Sequence, residues 1–201
     1  TALALAPNNS SIRYNLSMTL LLLGEYIDGF EVFEHRRHMP DRKPRSFDIP
    51  EWFGESLVGK SVLVHAEQGA GDTIMFARFL TRLTDSGAHI TFSVQQSLES
   101  LEFRFAKSVD VKSGKIEPTV FDYQIPLLSL PNRFDITLQD IGNSEPYIAP
   151  PQAFQNTKSD IPRIGLVWAG NPNHANDLNR SIPFAKLAPL LALPQIQWVS
   201  L

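Results

Sequence analysis

The sequence predicts an α/β chain in which a helical pair precedes a mostly parallel sheet. Three observations carry that reading. Val62, Leu63 and Val64 form a short run of β-branched and aliphatic residues, the pattern of a strand covered on both faces. Gly69 and Gly71 follow, and glycine permits backbone angles that other residues avoid. Ile74, Phe76, Ala77, Leu80 and Leu83 then recur at helical spacing, with Asp72 or Thr73 available as the helix cap. Strand, glycine turn and helix make the first unit of a Rossmann-like half, and the rest of the chain is arranged around residues 60–80.

Composition bounds the function. A length of 201 residues suits one large domain or two small ones. Apolar residues make up 43%, which supports a sizeable core and argues against disorder. The net charge is −3, from 18 basic and 21 acidic residues, and this argues against a general nucleic-acid binder. It leaves room for a local basic pocket that holds phosphate. The absence of cysteine excludes a disulfide framework and a thiolate metal site. No apolar run approaches the ~18 residues of a membrane span, and no signal-peptide pattern is visible. The expectation is a soluble cytoplasmic protein.

Residues 1–39 read as a helical hairpin. Residues 2–7 are a helix end with a proline stop, and residues 8–11 offer caps for the next helix. Ile12, Leu16, Leu20 and Leu23 follow helical spacing, Gly24 breaks the helix, and Tyr26, Phe30 and Phe33 begin a second stripe. Residues 34–38 are a charged helix end, with cations where the helix dipole favours them. His35 and His38 have no third ligand nearby in sequence, so a solvated helix end is expected rather than a metal site. Residues 40–59 form a connector in which Pro40, Pro44 and Pro50 oppose regular structure. Trp52 and Phe53 are expected to plug it onto the adjacent domain.

Residues 60–150 read as one α/β unit. Strands are expected over 61–66, 87–94, 109–111 and 121–125, with helices over 72–85 and 97–105. An apolar, turn-rich stretch follows at 127–134. The proline-rich segment 151–162 reads as an interdomain linker. Residues 163–168 begin a second domain with another buried strand. A polar loop at 169–181, a short helix over 183–191 and a strand from 195 complete it. No helix follows to cover that last strand, so residues 163–201 read as the start of a larger domain.

The central loop departs from three familiar phosphate or nucleophile patterns. Gly69 and Gly71 match half of a dinucleotide fingerprint, but Ile74 takes the third glycine position. Gln95 and Gln96 stand where an acidic residue would hold a ribose. Both the phosphate-cradling G-x-x-x-x-G-K-[ST] loop and the G-x-S-x-G elbow are absent. What the loop does carry is His65, Glu67, Gln68 and Asp72 at the carboxyl end of a strand, where open α/β sheets bind ligands. The helix dipole favours an ionised Asp72, which could take a proton from an attacking hydroxyl late in the step. Asp72 as helix cap fits the local pattern equally well. Glu67 could be a base or a substrate hydrogen-bond acceptor, and His65 could have no role. In the second loop, Arg180 suits bidentate phosphate contact, and Ser181 can cap the next helix. A solvated loop with an incidental arginine is the alternative.

The hairpin resembles the tetratricopeptide repeat. Leu16, Gly24, Tyr26, Gly29 (usually alanine in the family) and Phe33 fall at repeat spacing, while Arg13 replaces the frequent early tryptophan. Ala2 and Pro7 match the tail of a preceding repeat. One repeat cannot bury its own faces, so further repeats are expected before Thr1, and an ordinary hairpin packed on the next domain is the alternative.

Trp52-x-Gly54, then Gly59-Lys60-x-Val-Leu-Val-His65-Ala-Glu67-Gln68-Gly69-x-Gly71-Asp72-Thr73-Ile-x-Phe76-Ala-Arg78, resembles bacterial tetratricopeptide-repeat proteins with a glycosyltransferase domain. That domain is similar to glycosyltransferase family 9, the heptosyltransferase-like group. Gly165-Leu-Val-Trp168-x-Gly170-Asn171-Pro172 and Asn179-Arg180-Ser181-Ile182-Pro183 match the second half of the pattern. The resemblance implies a partial GT-B fold, two Rossmann-like domains facing across a cleft, with the chain a fragment that is inactive alone. It implies inverting, metal-independent transfer from a nucleotide-sugar to a protein or glycan acceptor, with no cofactor. By resemblance Asp72 is the base; Glu67 stays a second catalytic candidate from the loop pattern alone. His65, Gln68, Gly69, Gly71 and Thr73 would line the acceptor side, and Arg180, Ser181 and Asn171 the donor phosphates. Arg180 departs from the lysine more common in heptosyltransferases. The competing class is a non-catalytic scaffold whose repeats bind a partner.

Overall fold

The computed structural model describes residues 2–40, 44–104, 109–117, 120–141, 146–149, 160–173 and 176–201. The chain divides into two compact units, Thr1–Pro151 and Gln152–Leu201.

The first unit opens with three helices, α1 (Ala2–Leu5), α2 (Ser10–Leu23) and α3 (Tyr26–Phe33). The Asn9 side chain accepts from the Ile12 N–H and caps α2. Gly24 ends α2 in the left-handed region at φ 85°, which glycine adopts without a Cβ penalty. At Gly29 an added Cβ would come within 2.8 Å of Leu21, so this glycine allows α2 and α3 to pack closely. A 3₁₀ turn, Glu34–His38, extends α3. The expected solvated helix end is wrong in one respect, because Arg36 is only 1% exposed.

A four-stranded parallel sheet forms the body of this unit. Its strands are β1 (Ser61–His65), β2 (His89–Ser93), β3 (Val109–Lys112) and β4 (Tyr123–Pro126), in the order β3-β2-β1-β4. Register fixes two unlike faces. Val62, Ile90, Val109 and Tyr123 lie side by side, as do Val64, Phe92, Val111 and Ile125. The opposite face aligns Leu63 with Thr91, Asp110 and Gln124, and His65 with Ser93 and Lys112.

The apolar face is buried by α3 and by the two helices that follow β1, α4 (Ala70–Ala77) and α5 (Leu80–Thr84). Phe30 meets Phe76 edge to face at 6.3 Å, so the hairpin shares the core of the sheet. The polar face is covered at β1 by the connector, where Phe47 packs on His65 at 4.9 Å and Ile49 is buried. The connector also pairs along β4: the Trp52 N–H donates to the Gln124 carbonyl and the Gln124 N–H to that of Pro50. Trp52 is buried against Phe134, whereas Phe53 is exposed beneath the Arg133 guanidinium. Arg37 and Arg133 converge on Glu51 and fasten the connector to both sides.

Two expected helices are altered. The one expected over 72–85 starts at Ala70 and is interrupted at Arg78 and Phe79. The one expected over 97–105 is a single 3₁₀ turn, Gln96–Leu98, and residue 105 lies outside the described residues. Phe103 instead packs edge-on against Phe92 and bridges to Ile148, so core burial outweighs helix continuation there. After β4 come a 3₁₀ turn (Leu127–Ser129), α6 (Leu130–Arg133) and α7 (Leu138–Ile141).

The second unit is small. β5 (Arg163–Leu166) and β6 (Gln197–Ser200) pair in parallel. Between them lie a polar loop, a 3₁₀ turn (Phe184–Leu187) and α8 (Ala188–Leu191). The expected linker over 151–162 lies outside the described residues as far as 159. Among the described residues, no helix is long and apolar enough to cross a membrane.

Candidate functional site

The glycine turn sits at the carboxyl end of β1. Gly69 is the N-cap of α4 at φ −66°, and neither Gly69 nor Gly71 has a positive φ. The expected conformational reason for these glycines is therefore not found, and no steric one replaces it. A Cβ on Gly69 would lie 3.4 Å from the Asp72 carboxylate, and one on Gly71 would meet nothing within 4 Å. The turn keeps its backbone bare beside open space.

Asp72 is the third residue of α4 and half-buried. Its Oδ2 accepts from the Gly69 N–H at 3.1 Å. This is the carboxylate half of a capping box, since glycine has no side chain to return the bond. The other carboxylate oxygen has no hydrogen-bond partner among the described residues. The Thr73 hydroxyl donates to the Gly69 carbonyl at 3.2 Å and is buried. Gln95, two residues beyond β2, braces the turn, donating to the Gln68 carbonyl at 2.7 Å and to Thr73 Oγ1 at 3.0 Å. The residue standing where a ribose-binding acid was sought thus supports the turn itself.

Glu67 is engaged by two donors. Its Oε2 accepts from Arg36 Nη2 at 2.8 Å and from the Leu128 N–H at 3.2 Å. Arg36 also reaches Glu34 at 2.7 Å and Ser129 Oγ at 2.8 Å, and Ser129 donates to Glu34 at 2.9 Å. Its guanidinium lies over Phe33 at 4.8 Å, and its Nε is buried without a partner. The hairpin is thereby locked to the loop that carries Glu67. Sequence reasoning missed Arg36 and Ser129; the only sequence signal was the charge cluster at residues 34–38.

His65 is 2% exposed, and burial lowers its pKa to about 4. The neutral ring donates from Nε2 to Gln124 Oε1 at 2.9 Å, leaving Nδ1 buried and unpartnered. A histidine held neutral in this way is a poor proton donor at pH 7. His35, singled out with His38, has a pKa lowered by burial and by Arg13, whose Nη1 lies 3.3 Å from its Nε2.

In the second unit the loop after β5 is closed by its own polar groups. Ser181 Oγ accepts from the Gly170 N–H at 2.9 Å and donates to Asp177 at 2.7 Å. Ser181 therefore pins the loop and does not cap the following turn, which has no side-chain cap. Asn171 Oδ1 accepts from the Asn173 N–H at 2.9 Å. Arg180 is exposed, with no carboxylate on its guanidinium among the described residues. Trp168 and Phe184 pack at 5.2 Å across the base of the loop.

No protein-family model matches the chain, and no solved structure matches it. The chain is similar to Protein FlbA of Caulobacter vibrioides, with 26% identity over 211 residues. That similarity covers 90% of this chain and 35% of the relative, so the chain spans about a third of that protein's length.

Proposed function

We propose that this chain belongs to a nucleotide-sugar-dependent glycosyltransferase, with the first unit activating an acceptor hydroxyl and the second contacting the donor phosphates. The observation that carries the reading is Asp72: a carboxylate at the start of a helix, on a bare glycine turn, with one oxygen engaged in capping and the other unpartnered among the described residues. In the proposed step the acceptor O–H gives its proton to that free oxygen. The acceptor oxygen bonds to the anomeric carbon as the bond to the leaving phosphate oxygen breaks. The configuration inverts; in the second unit, taken by itself, the exposed Arg180 guanidinium suits a phosphate. Glu67 keeps Arg36 neutralised and leaves the base role to Asp72. The hairpin, whose Leu22 and Leu23 remain exposed, serves acceptor recruitment.

One observation favours a second reading. Asp72 and Glu67 both have structural partners, as they would in a scaffold that has lost its chemistry. A panel of nucleotide-sugars, titrated calorimetrically into the full-length protein, separates the two. Saturable binding of one donor, weakened by Arg180→Gln, supports the transferase. No binding across the panel supports the scaffold.

A further inference from the structure

The polar face of the four-stranded sheet collects cations at its carboxyl end. Ser93 ends β2 and Lys112 ends β3, and the two are register partners. Their side chains therefore leave the same face. Arg45 approaches that face from the connector. Its Nη1 donates to Ser93 Oγ at 3.1 Å, and its guanidinium lies over the Phe47 ring at 5.1 Å. Phe47 is itself seated on His65, so the arginine is held by a hydroxyl and by a ring that is fixed from below.

Arg45 has no carboxylate partner among the described residues. Among the described residues of this unit Arg13, Arg78 and Arg104 also lack one, whereas Arg36, Arg37, Arg82 and Arg133 have one. Burial pushes the Arg45 pKa down, and no acidic group opposes it. Lys112 has only Asp110 at 3.9 Å, with both side chains largely exposed. The cavity of about 340 Å³ that Lys112 borders runs the other way, towards the amino ends of the strands at Ser61, His89 and Phe121, and includes neither Arg45 nor Ser93. A planar, anchored guanidinium loses little freedom on binding and suits a two-oxygen anion.

We propose that Arg45, Ser93 and Lys112 form an oxyanion-binding site for a small molecule bearing a carboxylate or a phosphate. Ser93 is 1% exposed and accepts from Arg45, so it positions the guanidinium, while Lys112 stands on the register-paired strand beside it. The site belongs to the first unit alone and does not depend on the transferase reading.

The test is titration of the full chain with inorganic phosphate and, separately, acetate, followed by amide NMR shifts. The proposal expects saturable shifts at Ser93 and Lys112 for at least one anion, with the tighter of the two naming the ligand chemistry. Arg45→Gln should weaken binding about tenfold or more, and Arg45→Lys should fall between. Lys115→Gln removes an equal charge from a nearby lysine already paired with Glu117 and should leave binding unchanged. Circular dichroism confirms that each variant is folded. Binding by Arg45→Gln equal to wild type, or non-saturating shifts for both anions, would overturn the site. Equal weakening by Lys115→Gln would reduce it to bulk charge and overturn it as well. Failure of the nucleotide-sugar panel would leave these outcomes unaffected.

Discussion

Arg36 and Glu67 stand 31 residues apart in sequence and meet at 2.8 Å, with Arg36 1% exposed. The pair joins the helical hairpin to the glycine turn. Glu34, Ser129 and the Leu128 N–H complete its hydrogen bonding. Removing one partner from a buried pair strands the other charge, at about 3–5 kcal/mol. Arg36→Met is therefore expected to lower unfolding free energy by about that amount. Glu67→Gln leaves Arg36 paired with Glu34 and should cost less, about 1.5–3 kcal/mol. Urea titration of the two variants checks the order; equal stability with wild type would dissolve the pair's role.

His65 predicts a pH dependence with a definite sign. Its folded pKa of about 4 lies below the ordinary histidine value of 6.5. The unfolded state binds more protons between those values, so stability falls as pH drops from about 6.5 towards 4. The full contribution is about 3 kcal/mol, present above the upper value and lost through the window. His35 is depressed too and adds to the same window. The difference in slope between wild type and His65→Gln, measured by urea unfolding from pH 7 to 4.5, isolates His65. Parallel slopes would contradict its burial as a neutral ring.

Gly24 ends α2 at φ 85°, with nothing within 4 Å of an added Cβ. Any penalty at this site is thus conformational and not steric crowding. Gly24→Ala should destabilise the first unit by about 1–2 kcal/mol. The thermal midpoint of the variant tests it, and an unchanged midpoint would remove the left-handed cap.

Legibility followed the range of the interactions. The strand at Val62–Val64 could be read because a continuous apolar run needs cover on both faces, and all three residues are fully buried. Gly24 could be read because a glycine between two apolar stripes marks a helix end. Arg36 could not. A charged residue near a helix terminus reads as solvated, and its partners Glu67 and Ser129 lie 31 and 93 residues away. Gly69 and Gly71 were legible as a turn, but the conformational need read from them is absent, since neither has a positive φ. Arg45 escaped notice because its contact with Ser93 spans 48 residues and depends on the connector crossing the polar face.

The central claim is that Asp72 is the base and Glu67 is a counter-ion. The most direct measurement is nucleotide release from a nucleotide-sugar panel by the full-length protein, for wild type, Asp72→Asn and Glu67→Gln. Asn can still accept from the Gly69 N–H, so Asp72→Asn should fold normally yet lose turnover by about 10²–10⁴-fold. Glu67→Gln should lose stability and retain most of its turnover. A folded Asp72→Asn protein with wild-type turnover, or a folded Glu67→Gln protein with none, would contradict the assignment.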